Sequence, residues 1–176
     1  VVFKLTLKLA NAKKEVRTVQ AAKNQPTNET LFKKPVLKER DRGDAVKELQ
    51  QLLIQRYCYV GTVDGIFAVA TTSAVKAFQH RVFLTTTGIV DERTWRAIYK
   101  GAPVDMPVLQ LGSQGKFVIF VQQKLRITND YSARVDGNFG YQTATAVKAF
   151  QTRLGLVADG IVDDKTWWQL SKIAGF

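Results

Sequence analysis

Four aspartates have types and spacing that invite a chemical reading. Asp64 returns as Asp136 and Asp91 as Asp163, all at one constant offset. Two carboxylates can cleave a glycosidic bond when they stand about 5–10 Å apart across a cleft. These four read better as backbone devices. Asp64 and Asp136 each precede a glycine, and an Asp-Gly pair suits a tight turn. Asp91 and Asp163 stand where a helical pattern begins, as N-caps do. The other reactive side chains are single. His80 and Cys58 are the only histidine and cysteine, and their counterparts are Thr152 and Asp130. One histidine and one cysteine cannot build the usual zinc site. A lone cysteine excludes an intrachain disulfide. A nucleophilic Cys58–His80 pair has no support from spacing, and there is no phosphate-cradling glycine loop. The expectation is no catalytic residue, no metal ligand and no cofactor.

The elements that position these residues come twice. Val63-Asp64-Gly65-Ile66-Phe67 recurs as Val135-Asp136-Gly137-Asn138-Phe139, and Ala74-Val75-Lys76-Ala77-Phe78-Gln79 as Ala146-Val147-Lys148-Ala149-Phe150-Gln151. Between 42–98 and 114–170 roughly 25 of about 57 positions are identical without a gap, which marks an internal repeat. Each copy holds three helical patterns. The first is expected after Asp41 or Ser113, with Val46, Leu49 and Leu53, or Val118, Val121 and Leu125, on one face. The second is expected near Thr71 or Thr143, with Ala74, Val75, Phe78 and Val82, or Ala146, Val147, Phe150 and Leu154, as its apolar stripe. The third is expected from Asp91 or Asp163, with Trp95 and Ile98, or Trp167 and Leu170, facing inward. Phe67 and Phe139 drop back into the core after each Asp-Gly turn. The fold class is mainly α: two tandem compact three-helix bundles with short turn segments.

At 176 residues the chain can hold two small domains. A module of about 60 residues is marginal alone, so two packed together would support each other. No apolar run approaches the roughly 20 residues of a membrane helix. The net charge is +11, and residues 1–42 supply most of it, with 11 Lys/Arg against 4 Asp/Glu. Such a basic arm suits a polyanion. Phe3, Leu5, Leu7 and Leu9 alternate with polar residues, which is the pattern of one half-buried strand. The same stretch also reads as a secretion-signal remnant, but two lysines interrupt it. Residues 20–40 read as a linker, and Gly101-Ala102-Pro103 with Pro107 marks the joint between the copies. The expected divisions are 1–36 for arm and linker, 37–103 for the first repeat and 104–176 for the second.

The ordered set of residues in each copy resembles the peptidoglycan-binding-like domain, the small three-helix module attached to many bacterial wall hydrolases. In the second copy the resemblance rests on Leu109, Gly112-Ser113, Gly115, Val118 and Val121-Gln122. It continues through Asp136-Gly137-Asn138-Phe139-Gly140, Thr143, Ala146-Val147 and Phe150-Gln151, and ends on Gly155-Leu156, Asp159-Gly160, Val162 and Thr166-Trp167. The first copy departs further, with Arg40-Asp41 for Gly-Ser, Ala68 for glycine, Phe83 for glycine and Thr87 for aspartate. Asp91 and Asp163 replace a family glycine in both.

This resemblance implies non-catalytic binding of peptidoglycan, through the glycan strand or the stem peptide, as a wall-anchoring or targeting module in the cell envelope or outside the cell. A catalytic domain elsewhere in a longer protein is compatible with it. Sugar faces call for aromatic rings, and stem peptides for amide and charged partners. In the second copy Tyr131, Arg134, Asp136, Asn138, Tyr141 and Gln142 supply both, and Arg134 suits two-point pairing with a carboxylate. The first copy offers Tyr59 and Asp64. The second copy is the expected binder, and the arm is expected to favour acidic wall polymers. The alternative is a protein–protein assembly module on the same fold. Nucleic-acid binding is disfavoured, because the repeats themselves are nearly neutral.

Overall fold

The computed structural model describes residues 34–173, so the strand-like reading of residues 3–9, the signal-remnant reading and residues 1–33 of the basic arm lie outside the described residues. Six helices stand among the described residues. They are α1 (Asp44–Gln55), α2 (Val69–Arg81) and α3 (Glu92–Lys100), then α4 (Lys116–Ile127), α5 (Tyr141–Arg153) and α6 (Asp164–Ser171). The first three form one bundle and the last three the other, as the repeat predicts.

The apolar stripes point where the periodicity places them. Val46, Leu49, Leu53, Phe67, Val75, Phe78, Trp95 and Ile98 are buried in the first bundle. Val118, Val121, Leu125, Phe139, Val147, Phe150, Trp167 and Leu170 form the core of the second. Burial of each such side chain contributes on the order of 1.5–3 kcal/mol. Leu154 departs from the expected stripe: it is 38% exposed at the C-cap of α5, whereas its counterpart Val82 is buried.

Short antiparallel bridges tie the connecting segments to the bundles. Leu37 pairs with Val90 and Arg42 with Ile66, and Leu109 pairs with Val162 and Gln114 with Asn138. The indole N–H of Trp95 donates to the carbonyl of Pro35, and that of Trp167 to the carbonyl of Pro107, each at 2.8 Å. Residues 35–40 are therefore part of the first bundle, correcting their reading as linker. Two sets of helix starts also move. The N-caps of α1 and α4 are Gly43 and Gly115, while Asp41 and Ser113 accept from the backbone of Lys38 and Gln110 in the turn before. Thr71 and Thr143 lie inside the first turns of α2 and α5, whose N-caps are Ala68 and Gly140. Only Asp91 and Asp163 cap as expected, accepting from the backbone N–H of Thr94 at 2.8 Å and of Thr166 at 2.9 Å.

The two bundles meet at Phe83. Its ring lies 5.1 Å from that of Trp167 and 5.7 Å from that of Phe120, and it packs on the second core with Met106 and Phe117. Phe83 holds φ at +59°, a left-handed conformation that L side chains adopt at a cost of about 1–2 kcal/mol. Its counterpart Gly155 takes φ +67° without that cost. Nearby, Arg93 and Arg96 clamp Asp105 in the joint, and Lys100 reaches Asp164 at 3.5 Å.

Candidate binding groove of the second bundle

Four buried glutamines organise every turn near the candidate residues. Gln122 follows Val121 on α4 and cannot reach water. Its amide nitrogen donates to Asp136 Oδ1, the carbonyl of Asn138 and Thr143 Oγ1, at 2.9, 3.0 and 3.1 Å. Its oxygen accepts from the backbone N–H of Gly137 at 2.9 Å. Gly137 needs its φ of +75° to present that N–H, and an added Cβ would press on Ile119 at 3.1 Å. Gln50 grips Asp64, Gly65, Ile66 and Thr71 in the same way. Gln151 does so with Asp159, Gly160, Ile161 and Thr166, and Gln79 with Thr87, Gly88, Ile89 and Thr94. Each bundle thus contains the device twice, and Thr87 supplies a hydroxyl where the other three use a carboxylate.

The device explains the aspartates. Asp136 Oδ1 also accepts from the Asn138 N–H, and Asp64 Oδ1 from the Ile66 N–H, each at 2.9 Å. The backbone bond from Asn138, then the Gln122 amide, hold the Asp136 carboxyl below its ordinary value. For Asp64 the Gln50 amide is the larger cause, followed by the Ile66 N–H. Both side chains remain exposed at their outer edges.

A groove of about 370 Å³ opens beside this scaffold, between the loop after α4 and the start of α5. Asp130, Tyr131 and Ser132 line one side, and Tyr141, Gln142 and Thr145 the other. Tyr131 is its floor: it is buried, and its hydroxyl donates to the Arg134 carbonyl at 2.8 Å and accepts from Gln122. Tyr141 is 80% exposed at the first position of α5, with Gln142 beside it. Asp130 is fixed by Arg153 at 2.6 Å, and that guanidinium also lies over the Phe150 ring. The structure therefore brings Tyr131, Tyr141 and Gln142 together. Arg134, Asp136 and Asn138 lie on the adjoining loop, all exposed, and do not line the groove. In the first bundle Tyr59 repeats the floor contact, donating to the Thr62 carbonyl at 3.1 Å, and Asp64 repeats the turn. Val69 and Ala70 stand there in place of Tyr141 and Gln142.

Sequence reading missed the four glutamines as turn holders, and Asp130, Ser132 and Thr145 as groove residues. The glutamines carried a signal, since Gln50 and Gln79 both return in the second copy after an apolar residue. The groove residues carried none, because they do not repeat. His80 is exposed on α2, and Cys58 is half-buried just beyond α1. Burial raises the Cys58 thiol above its ordinary value, with Arg81 opposing. No cluster of three or more metal-ligating side chains occurs among the described residues, and no described helix is long and apolar enough to cross a membrane.

Fold and groove define a tandem of small helical binding modules built on glutamine-held turns. The chain belongs to the family described as "Putative peptidoglycan binding domain", which matches residues 42–98 and again 114–170. Similar curated proteins include the N-acetylmuramoyl-L-alanine amidase CwlM of Mycobacterium tuberculosis. It is 36% identical over 107 residues, which are 57% of this chain and 26% of that protein. The spore cortex-lytic enzyme of Bacillus cereus is 40% identical over 65 residues, 37% of this chain and 25% of that protein. The amidase CwlL of Bacillus licheniformis is 28% identical over 176 residues, 85% of this chain and 49% of that protein. Among solved structures, the SleB N-terminal domain shares 39% identity at a TM-score of 0.37, over 38% of this chain and 90% of that one. The chain spans between a quarter and a half of these curated relatives.

Proposed function

We propose that this chain is the non-catalytic, wall-targeting part of a bacterial envelope protein, and that its second bundle makes the main contact with peptidoglycan. The observation carrying this reading is the groove in which an exposed tyrosine and its neighbouring glutamine form one rim above a buried tyrosine floor. Tyr141 offers an aromatic face, and Gln142, Ser132 and Thr145 offer donors and acceptors for amides or hydroxyls. Arg134, next on the loop after Ala133, offers a guanidinium for a stem-peptide carboxylate. Asp136, Asn138, Asp64 and Tyr59 act through the turns they shape. The first bundle, with Val69 and Ala70 at the corresponding rim, contributes less.

Two N-acetylmuramoyl-L-alanine amidases and a spore cortex-lytic enzyme among the relatives support a setting in the cell envelope or outside the cell, beside a hydrolase domain. The basic excess of residues 1–42 adds attraction to acidic wall polymers. The test is sedimentation with insoluble peptidoglycan stripped of secondary polymers. The protein is expected in the pellet at low salt, and a protein that stays in the supernatant overturns the reading.

A further inference from the structure

We infer that the outer face of α6 is a docking surface for an acidic segment of a partner protein. No α6 residue lines the Tyr141 groove, so this surface is separate from the proposed wall contact. The first bundle shows what such a face holds. There α3 carries Arg93, Arg96 and Lys100, spaced i, i+3 and i+7 along one side of the helix. Carboxylates occupy that side. Arg96 grips both oxygens of Asp105, at 2.9 and 2.6 Å, and Arg93 reaches the same carboxylate at 3.2 Å. Lys100 reaches Asp164, the first residue of α6, at 3.5 Å. The same three positions in the second bundle are Lys165, Trp168 and Lys172. All three are exposed. Among the described residues neither lysine pairs with a carboxylate.

Trp168 takes the place of the two-point arginine. It supplies a seat for a charge in place of the charge itself, since the Lys172 ammonium lies 3.2 Å from its ring centroid. Lys172 also donates to the Gln169 side chain at 3.2 Å, and an ammonium with three donors keeps others for a ligand. Lys165 and Lys172 stand seven residues apart, about 10 Å along the helix axis. An extended chain rises about 3.3 Å per residue, so carboxylates three residues apart match both lysines. Beside Lys165 opens a cavity of about 300 Å³ whose lining includes Leu156 and the exposed Val157. Asp159 and Asp163 also line it, each with one oxygen bonded inside its own turn. The cavity therefore suits an apolar side chain, while the carboxylates of the segment fall on the lysines. A second copy of this chain is a poorer occupant. The contact between the bundles uses Phe83 packed on Phe120, and their counterparts are Gly155 and Glu48. A phosphate polymer would match the charge and leave the apolar cavity unfilled.

The experiment titrates the isotope-labelled full chain with a short synthetic peptide carrying two aspartates three residues apart among alanine, valine and proline. The same peptide with asparagines, and polyphosphate of matched charge, are titrated in parallel while backbone amide and indole shifts are followed. The aspartate peptide is expected to give saturable shifts at Lys165, Trp168 and Lys172, and the asparagine peptide none. Lys165→Gln and Lys172→Gln should each weaken binding about two- to fivefold, as loss of one exposed ion pair does. Together they should abolish the saturable shifts, with the indole signals of buried Trp95 and Trp167 unmoved as proof of an intact fold. Shifts that are absent from α6, matched by the asparagine peptide, or unaltered in the double variant overturn the inference. Tighter binding of polyphosphate on α6 overturns it in favour of a phosphate polymer. Retention on purified peptidoglycan is expected to be unchanged in the double variant, and its loss would assign the face to wall contact instead.

Discussion

At the residue scale, the decisive side chains are glutamines that hold glycine turns from inside the core. Replacing Gln122 by leucine keeps the volume and leaves the N–H of Gly137 and the carboxylate of Asp136 without their buried partner. An unsatisfied buried group costs about 1–3 kcal/mol. Gln122→Leu is therefore expected to destabilise the second bundle by about 2–3 kcal/mol in urea unfolding. A loss below about 0.5 kcal/mol, the level of an ordinary surface change, would contradict the role assigned to it. The aspartates give a pH signature. Asp64, Asp136 and Asp159 all have carboxyls held below the ordinary value of 3.8. The folded chain then binds these protons more weakly than the unfolded one, so acid favours unfolding. Their contribution is fully present above pH 3.8 and is lost as pH falls through the lower folded values. Asp136→Asn keeps an acceptor and removes the charge. Its stability should fall less steeply below about pH 4 than that of the parent, measured by thermal melts across that range.

At the element scale, periodicity made the helices legible, and capping chemistry only partly located their ends. The stripes of Val46, Leu49 and Leu53 and of Val118, Val121 and Leu125 needed only the 3.6-residue period and burial. Asp91 and Asp163 were legible as caps because a carboxylate at that position bonds the N–H three residues on. Asp41, Ser113, Thr71 and Thr143 are equally good cap residues by type. Buried glutamines claim the two threonines, and the turns before α1 and α4 claim Asp41 and Ser113. Type alone could not separate these uses, since the separating partner lies far along the chain. Asp163→Ala removes a bonded cap and should cost about 1 kcal/mol in the unfolding midpoint analysis. Ser113→Ala, which touches no helix N–H, should cost less than half of that. Equal losses would show that the helix starts are misassigned. Of the candidate site, Tyr141, Gln142 and Tyr131 were legible as aromatic and amide residues near a turn. Tyr131 proves to be its floor, because its hydroxyl is consumed by Arg134 and Gln122.

At the scale of the whole molecule, the repeat is a copied scaffold with uncopied surfaces. Phe83 is the clearest case. In sequence it stands as a departure from glycine, and in the structure it joins the bundles. Phe83→Gly would relieve about 1–2 kcal/mol of backbone strain and forfeit most of the roughly 1.5–3 kcal/mol that full ring burial contributes, the ring being partly buried. The expected outcome is a small net loss of stability with independent tumbling of the bundles, read from NMR relaxation. A single common tumbling time retained in the variant would show that the Lys100–Asp164 pair and the rest of the joint hold the bundles without the ring. The central claim is that wall binding resides in the second bundle through residues the first one lacks. The most direct measurement gives the second bundle the rim of the first, Tyr141→Val with Gln142→Ala, and compares sedimentation with purified peptidoglycan. The folded double variant is expected to lose most of its retention, whereas Val69→Ala in the first bundle changes little. Full retention by the double variant, or equal losses from both bundles, would contradict it.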